Sequence, residues 1–184
     1  MSVMQFTVQP SSSLGTIALV ALVVTGAVLL LLALTTGRRA KTIRRTFAAL
    51  MIIGLVVIGL GVWLFFASST PSTITVGSGY VSIQSPGFSG AGNMNITANK
   101  IASAYVGQIG SGNLTLSKQH GTNYDHFNVG IFTLGNGATA DVVSNNSTDL
   151  IIQLSSGEYV ILGTSNTNAL ATSFSQSVYP LNIG

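Results

Sequence analysis

The sequence predicts an α+β protein: a two-helix transmembrane hairpin followed by a mainly antiparallel β extracytoplasmic domain, closed by a C-terminal helix. Three observations predict it. The runs 14–36 and 47–67 carry no charged residue, and each reaches the roughly 20 residues that a helix needs to cross a bilayer core. Between them the stretch GRRAKTIRRT, 37–46, holds five of the seven basic residues. Beyond residue 72 the chain breaks into short apolar pieces separated by Gly, Asn, Ser and Pro, the pattern of strands and turns.

In chain order, 1–13 is read as an N-terminal segment outside the membrane, 14–67 as the hairpin, 68–72 as a linker and 73–184 as the extracytoplasmic domain. The first segment, MSVMQFTVQPSSS, is short and polar and reads as a frayed end, unless a partner orders it. Within the first run Gly15, Ala18, Ala21 and Thr25 recur at three- and four-residue steps, a small-residue face on which another helix can approach closely. In the second run Gly54 and Gly61 share a face in the same way, and Trp63, Phe65 and Phe66 close it with aromatic rings suited to a headgroup boundary.

Arg38, Arg39, Lys41, Arg44 and Arg45 sit in the short connection, and such a bias is retained on the cytoplasmic side. The bend is therefore expected inside and both termini outside, as in a multi-pass protein of the cell membrane; the same residues can meet anionic lipid headgroups. A cleavable signal peptide places its basic residues before the apolar run, and 1–13 has none. The runs also hold no Asp, Glu, Lys, Arg or His, which argues against transport or haem ligation by this chain alone.

The formal net charge of +3 belongs to the bend. Past residue 67 the charged side chains are Lys100 and Lys118 against Asp125, Asp141, Asp149 and Glu158. A slightly acidic, charge-poor domain offers no footprint for nucleic acid. Its polar surface is built from Ser, Thr, Asn and Gly, whose charge does not change in acid, so an acidic medium is the expected habitat. Cysteine is absent, which excludes disulfides, thiolate metal sites and a cysteine nucleophile.

Strands are expected at 73–76, 80–84, 93–97, 103–108, 113–118, 130–134, 138–143, 150–154 and 158–163. Tyr80, Ser82 and Gln84 alternate with Val81 and Ile83, giving a sheet with one buried and one wet face. The turns Gly135-Asn136-Gly137 and Ser155-Ser156-Gly157 supply residues that tolerate positive φ. Near the end the period lengthens: Leu170, Phe174 and Val178 are four apart on a helix that Asn168 can cap and Pro180 can stop.

The segment 121–163 resembles the bacterial pleckstrin-homology-like domains of small membrane proteins. The resemblance is carried by Gly121, by Gly130, Phe132 and Leu134, by Asn136-Gly137 with Ala140, by the strand 150–154, and by Gly157 with the strand ending at Leu162. It implies a curved antiparallel sheet of about seven strands capped by one helix. The phosphoinositide binding of basic members is not implied, because Lys100 and Lys118 are the only basic residues of the domain.

Candidate chemistry is sparse. His120 and His126 with Asp125 could be drawn as metal ligands, but two histidines in a polar loop more often form solvated surface, and no metal or cofactor is expected. No G-x-S-x-G elbow, Walker loop, dinucleotide fingerprint or HExxH occurs, so no catalytic residue and no small-molecule substrate are assigned. Four glycosylation sequons stand at Asn95, Asn113, Asn145 and Asn146, close to the number that composition alone supplies; the last two fall in an expected turn, where modification is easiest. The function expected is that of a non-catalytic accessory subunit of a larger membrane-protein complex, respiratory or otherwise energy-converting, its partners being other membrane subunits and lipids. The alternative is a tethered binding module for envelope protein or glycan.

Overall fold

The computed structural model describes residues 3–9, 12–37, 44–85, 92–110, 112–124 and 127–181. The elements run β1 (Met4–Val8), α1 (Ser12–Gly37), α2 (Arg44–Ser69), β2 (Ser72–Gly77), β3 (Tyr80–Ser85), β4 (Gly92–Thr97), β5 (Ile101–Gln108), β6 (Leu116–Tyr124), β7 (Phe127–Leu134), β8 (Thr139–Ser144), β9 (Thr148–Leu154), β10 (Tyr159–Gly163) and α3 (Thr167–Ser177). They divide into two units, one made of 11–69 and one made of 1–10 with 70–184.

The first unit is a pair of 26-residue helices. They meet where Gly26 faces Gly54: a Cβ on Gly54 would stand 3.3 Å from the Gly26 carbonyl oxygen, and one on Gly26 would overlap Ile58. About two turns further along α2, Gly61 seats Leu22, whose Cβ lies 2.7 Å from the position a Gly61 Cβ would take. Gly54 and Gly61 thus form the seam, with Gly26 as their counterpart in α1. Ala21 and Thr25 are exposed instead, Thr25 Oγ1 donating to the Ala21 carbonyl at 2.8 Å. Gly15 and Ala18 fall within α1, but their surroundings, like the residues Arg38, Arg39 and Lys41, lie outside the description; Arg44 and Arg45 open α2.

Among the described residues no helix is long and apolar enough to cross a membrane. The expected transmembrane hairpin and the expected multi-pass localisation with both termini outside are corrected accordingly.

The second unit also departs from expectation. It holds two sheets, of four strands in the order β1-β2-β3-β4 and of six in the order β5-β9-β10-β8-β7-β6. This replaces the single curved antiparallel sheet of the pleckstrin-homology-like expectation. The first reason is β1, which lies in the segment read as a frayed end. Met4, Phe6 and Val8 alternate with Gln5 and Thr7, and the strand pairs antiparallel with β2 from Met4 opposite Val76 to Val8 opposite Ser72. Val8 is fully buried there. The second reason is β10, which lies between β8 and β9, antiparallel to β9 and parallel to β8.

One continuous apolar cluster joins the two sheets and α3. Ile74, Val81, Ile83 and Ile96 come from the smaller sheet, Val143, Leu150, Ile152 and Leu162 from the larger, and Leu170 and Phe174 from the helix. The opposite face of the larger sheet buries Phe132, Val142, Ile151 and Ile161 in a second cluster, against which Ile109 and Leu114 of the β5–β6 connection and Leu116 of β6 pack. Burial on both faces explains why β9 and β10 read as unbroken apolar runs. The expected turn glycines take positive φ, +82° at Gly137 and +90° at Gly157. Asn166, two residues before Asn168, caps α3, its side-chain oxygen accepting from the Ala169 amide at 3.2 Å. Asn168 stands in the first turn, where its carbonyl accepts from Thr172 Oγ1 at 2.8 Å.

Candidate functional site

The apolar face of the larger sheet ends in a polar row. Register places Gly107 of β5 opposite Asp149 of β9, Ser144 of β8 opposite Gly163 of β10, and Asn128 of β7 opposite Ser144. Leu162 pairs with Leu150, so the next antiparallel step brings Gly163 beside Asp149. Residues in register share a face, and the row therefore reads Gly107, Asp149, Gly163, Ser144, Asn128 across five strands.

Its centre follows from the strand order. Ser144 ends β8 and Thr148 begins β9, yet these strands are separated by β10, so the connection 145–147 crosses two strand spacings, roughly 10 Å. Gly163 passes beneath that connection. Over its missing side chain the hydroxyl of Ser144 donates to Asp149 Oδ1 at 2.5 Å. A Cβ on Gly163 would overlap both the Asp149 carboxylate and the Ser144 hydroxyl, and the closest atoms it meets are these two. The turn is tied from every side. Ser144 Oγ accepts from the Asn146 amide at 3.1 Å, and the Asn145 amide donates to the Gly163 carbonyl at 3.3 Å. Asn145 Nδ2 reaches the Gln9 carbonyl, past the end of β1, at 3.4 Å. Asn146 Nδ2 donates to the Thr164 carbonyl at 3.0 Å, in the approach to α3.

Asp149 is wholly removed from solvent, and its Oδ2 meets no donor; the buried Oδ1 of Asn145 meets none either. Burial pushes the Asp149 carboxyl up to about 6, against the opposing pull of the Ser144 hydrogen bond. Desolvation of a carboxylate acts in this direction because the charged form alone loses its hydration. Asp141, on the other face of β8, is also raised, by partial burial and then by the nearby Glu158. Beside the turn lies a cleft of about 230 Å³ lined by Asn146, Thr148, Ser165, Asn166, Thr167 and Asn168. It offers neutral amides and hydroxyls and no charged group.

Chemically the row can hold and release a proton. It does not form a nucleophile with a base, since Ser144 and Asp149 are both fully buried and no substrate atom reaches the hydroxyl. Among the described residues no group of three or more His, Asp or Glu converges on a point where an ion could bind. Asp125 and His126 lie outside the described residues, and His120 falls on the edge strand β6.

The four sequons separate by environment. Asn95, on the edge strand β4, and Asn113, in the short 3-10 turn before β6, are exposed. Asn145 and Asn146, expected in an open turn, are half-buried, and both spend their amide nitrogens on internal carbonyls. Glycosylation of Asn146 requires that nitrogen to be withdrawn from Thr164. An oligosaccharyltransferase presented with the folded chain is therefore expected to load Asn113 and Asn95 and to leave Asn146 bare, as read by mass spectrometry of the glycopeptides. Preferential loading of Asn146 would show that the turn opens in solution.

Sequence reasoning missed this row. Its one visible trace is that the apolar runs of β8 and β10 end in residues with small side chains, Ser144 and Gly163, while Asp149 stands among apolar neighbours. No protein-family model, no curated protein and no solved structure matches the chain.

Proposed function

We propose that this chain is a non-catalytic accessory subunit that docks through its helical hairpin onto apolar helices of other subunits in a larger complex. The observation that carries the reading is the outer surface of the hairpin. Ile17 and Val24 on α1 and Ile52 and Val56 on α2 are each more than half exposed, with Val28 and Leu60 close to that mark. A contiguous apolar surface of this kind is a binding surface, since water-facing positions at that density are otherwise polar. The glycine seam serves the same end: it closes the two helices on each other, so the pair presents a preformed face.

The test is extraction from native cells in a mild detergent, native gel separation, and mass spectrometry of the band that contains this chain. Co-migration with defined partners at fixed ratio is the expected result. Migration of the chain alone overturns it and favours an independent binding module. Val24→Glu together with Val56→Glu should release the chain from its partners while leaving the sheet unit folded.

A further inference from the structure

The smaller sheet has a second face. Its inward side chains, Ile74, Val81, Ile83 and Ile96 among them, belong to the shared core, and strand alternation turns the residues between them outward. Register lines the outward residues up across the four strands. One row consists of Gln5, Thr75, Ser82 and Asn95. The next runs from Thr7 through Thr73 and Gln84 to Asn93. All of them are exposed or half-buried, and among the described residues none of these side chains hydrogen-bonds within the chain. The four strands contain no Asp, Glu, Lys, Arg or His. The result is an array of neutral hydroxyls and amides, spaced about 4.8 Å from strand to strand and about 7 Å along each strand.

An aromatic ring borders this array. Tyr80 stands opposite Gly77 on one side and Thr97 on the other, in the row beside Gln5, Thr75, Ser82 and Asn95. A Cβ on Gly77 would overlap Cε1 and Cζ of the ring and stand 2.7 Å from its hydroxyl oxygen. A point at nearly equal distance from three successive atoms of a phenol, well beyond bonding distance, lies over its face and not beside its edge. Tyr80 therefore covers Gly77 with one face of the ring, a pairing that steadies a glycine in a strand. Its other face is turned outward, and the residue is half-exposed.

We propose that this face binds a neutral glycan, an oligosaccharide not attached to the chain, laid across the strands with one sugar ring stacked on Tyr80 and its hydroxyls bonded to the two polar rows. The chemistry selects this occupant. A sugar ring has an apolar C–H face and a rim of hydroxyls, which fits an aromatic face set beside groups that both donate and accept. A nucleic acid, a phosphorylated headgroup or a charged peptide finds no countercharge here, and an apolar helix finds no apolar area beyond one ring. The cleft beside α3 is equally neutral, but Asn146, Asn166 and Thr167 already bond the chain itself there. Binding to the sheet face is independent of whether the hairpin docks. Asn95 is both a member of the array and a sequon, so a glycan attached to it would occupy the same face.

The test is an NMR titration of the full chain, made without glycosylation and held in a detergent that lacks a sugar headgroup, with cellohexaose, mannohexaose and N-acetylchitohexaose at up to millimolar concentration. At least one of the three is expected to shift the backbone amides of 73–77, 80–84 and 93–97. Tyr80→Ala is expected to weaken that binding about tenfold. Because it also uncovers Gly77, Ser82→Arg is the second variant: it leaves the ring in place, sets a bulky charge in the middle of the array, and should weaken binding about as much. No shift with any of the three sugars overturns the proposal. So do shifts confined to the cleft residues 146–148 and 165–168, and so does binding that either variant leaves unchanged.

Discussion

Gly163→Ala is expected to destabilise the sheet unit by about 2 to 6 kcal/mol, because a Cβ there meets the closest contacts found at any described glycine. Two losses combine. The added carbon has no space, because the Asp149 carboxylate and the Ser144 hydroxyl meet over Gly163, and overpacking of this kind costs roughly 1 to 3 kcal/mol. Moving either partner away then breaks a buried hydrogen bond and leaves a polar group without a partner, for a further 1 to 3 kcal/mol or so. Urea unfolding of the full chain in mild detergent measures the sum. Gly59→Ala is the control, since a Cβ at that helical position meets nothing within 4 Å, and it should be neutral or slightly stabilising. A Gly163→Ala variant within about 1 kcal/mol of the parent would mean that the turn can rearrange at little expense.

Phe174→Ala is expected to cost about 3 to 5 kcal/mol, as is usual for emptying a buried aromatic site. The ring is fully buried in the cluster shared by both sheets and α3, so its removal uncouples three elements at once. Its effect should spread, with faster amide exchange along α3 and in both β2 and β9. The same substitution at Phe132, equally buried but in the second cluster, should spare α3. Equal loss of protection in α3 from both variants would contradict the division of the core into two clusters.

The parts of this fold that were legible in the sequence are local. Gly137 and Gly157 marked turns because only residues tolerant of positive φ close such hairpins, and Leu170 with Phe174 marked a helix because both lie on one face. What was not legible depends on distant pairing. Met4, Phe6 and Val8 alternate as a strand should, but the strand that completes them begins at Ser72, beyond both helices. Nothing in YVILG states that β10 enters between β8 and β9. Once that order is missed, Asp149 looks like a surface charge and Asn145-Asn146 like an open turn. The hairpin shows the reverse case: its apolar runs are unmistakable, yet its seam runs through Gly26, Gly54 and Gly61 and not through Ala21 and Thr25, because contact requires the two backbones to approach.

The position of β10 also dictates when this protein can fold. Its neighbours, β9 and β8, are made before it, and neither pairs with the other. Until β10 arrives the larger sheet exists only as two fragments, β6-β7-β8 and β5-β9, each with an open apolar edge. A strand that must slot between two existing ones closes long loops late, which slows folding and prolongs exposure of unpaired edges. During synthesis the chain therefore has no complete larger sheet until Gly163 has left the ribosome, and a nascent chain halted earlier is a substrate for chaperones and for its own aggregation.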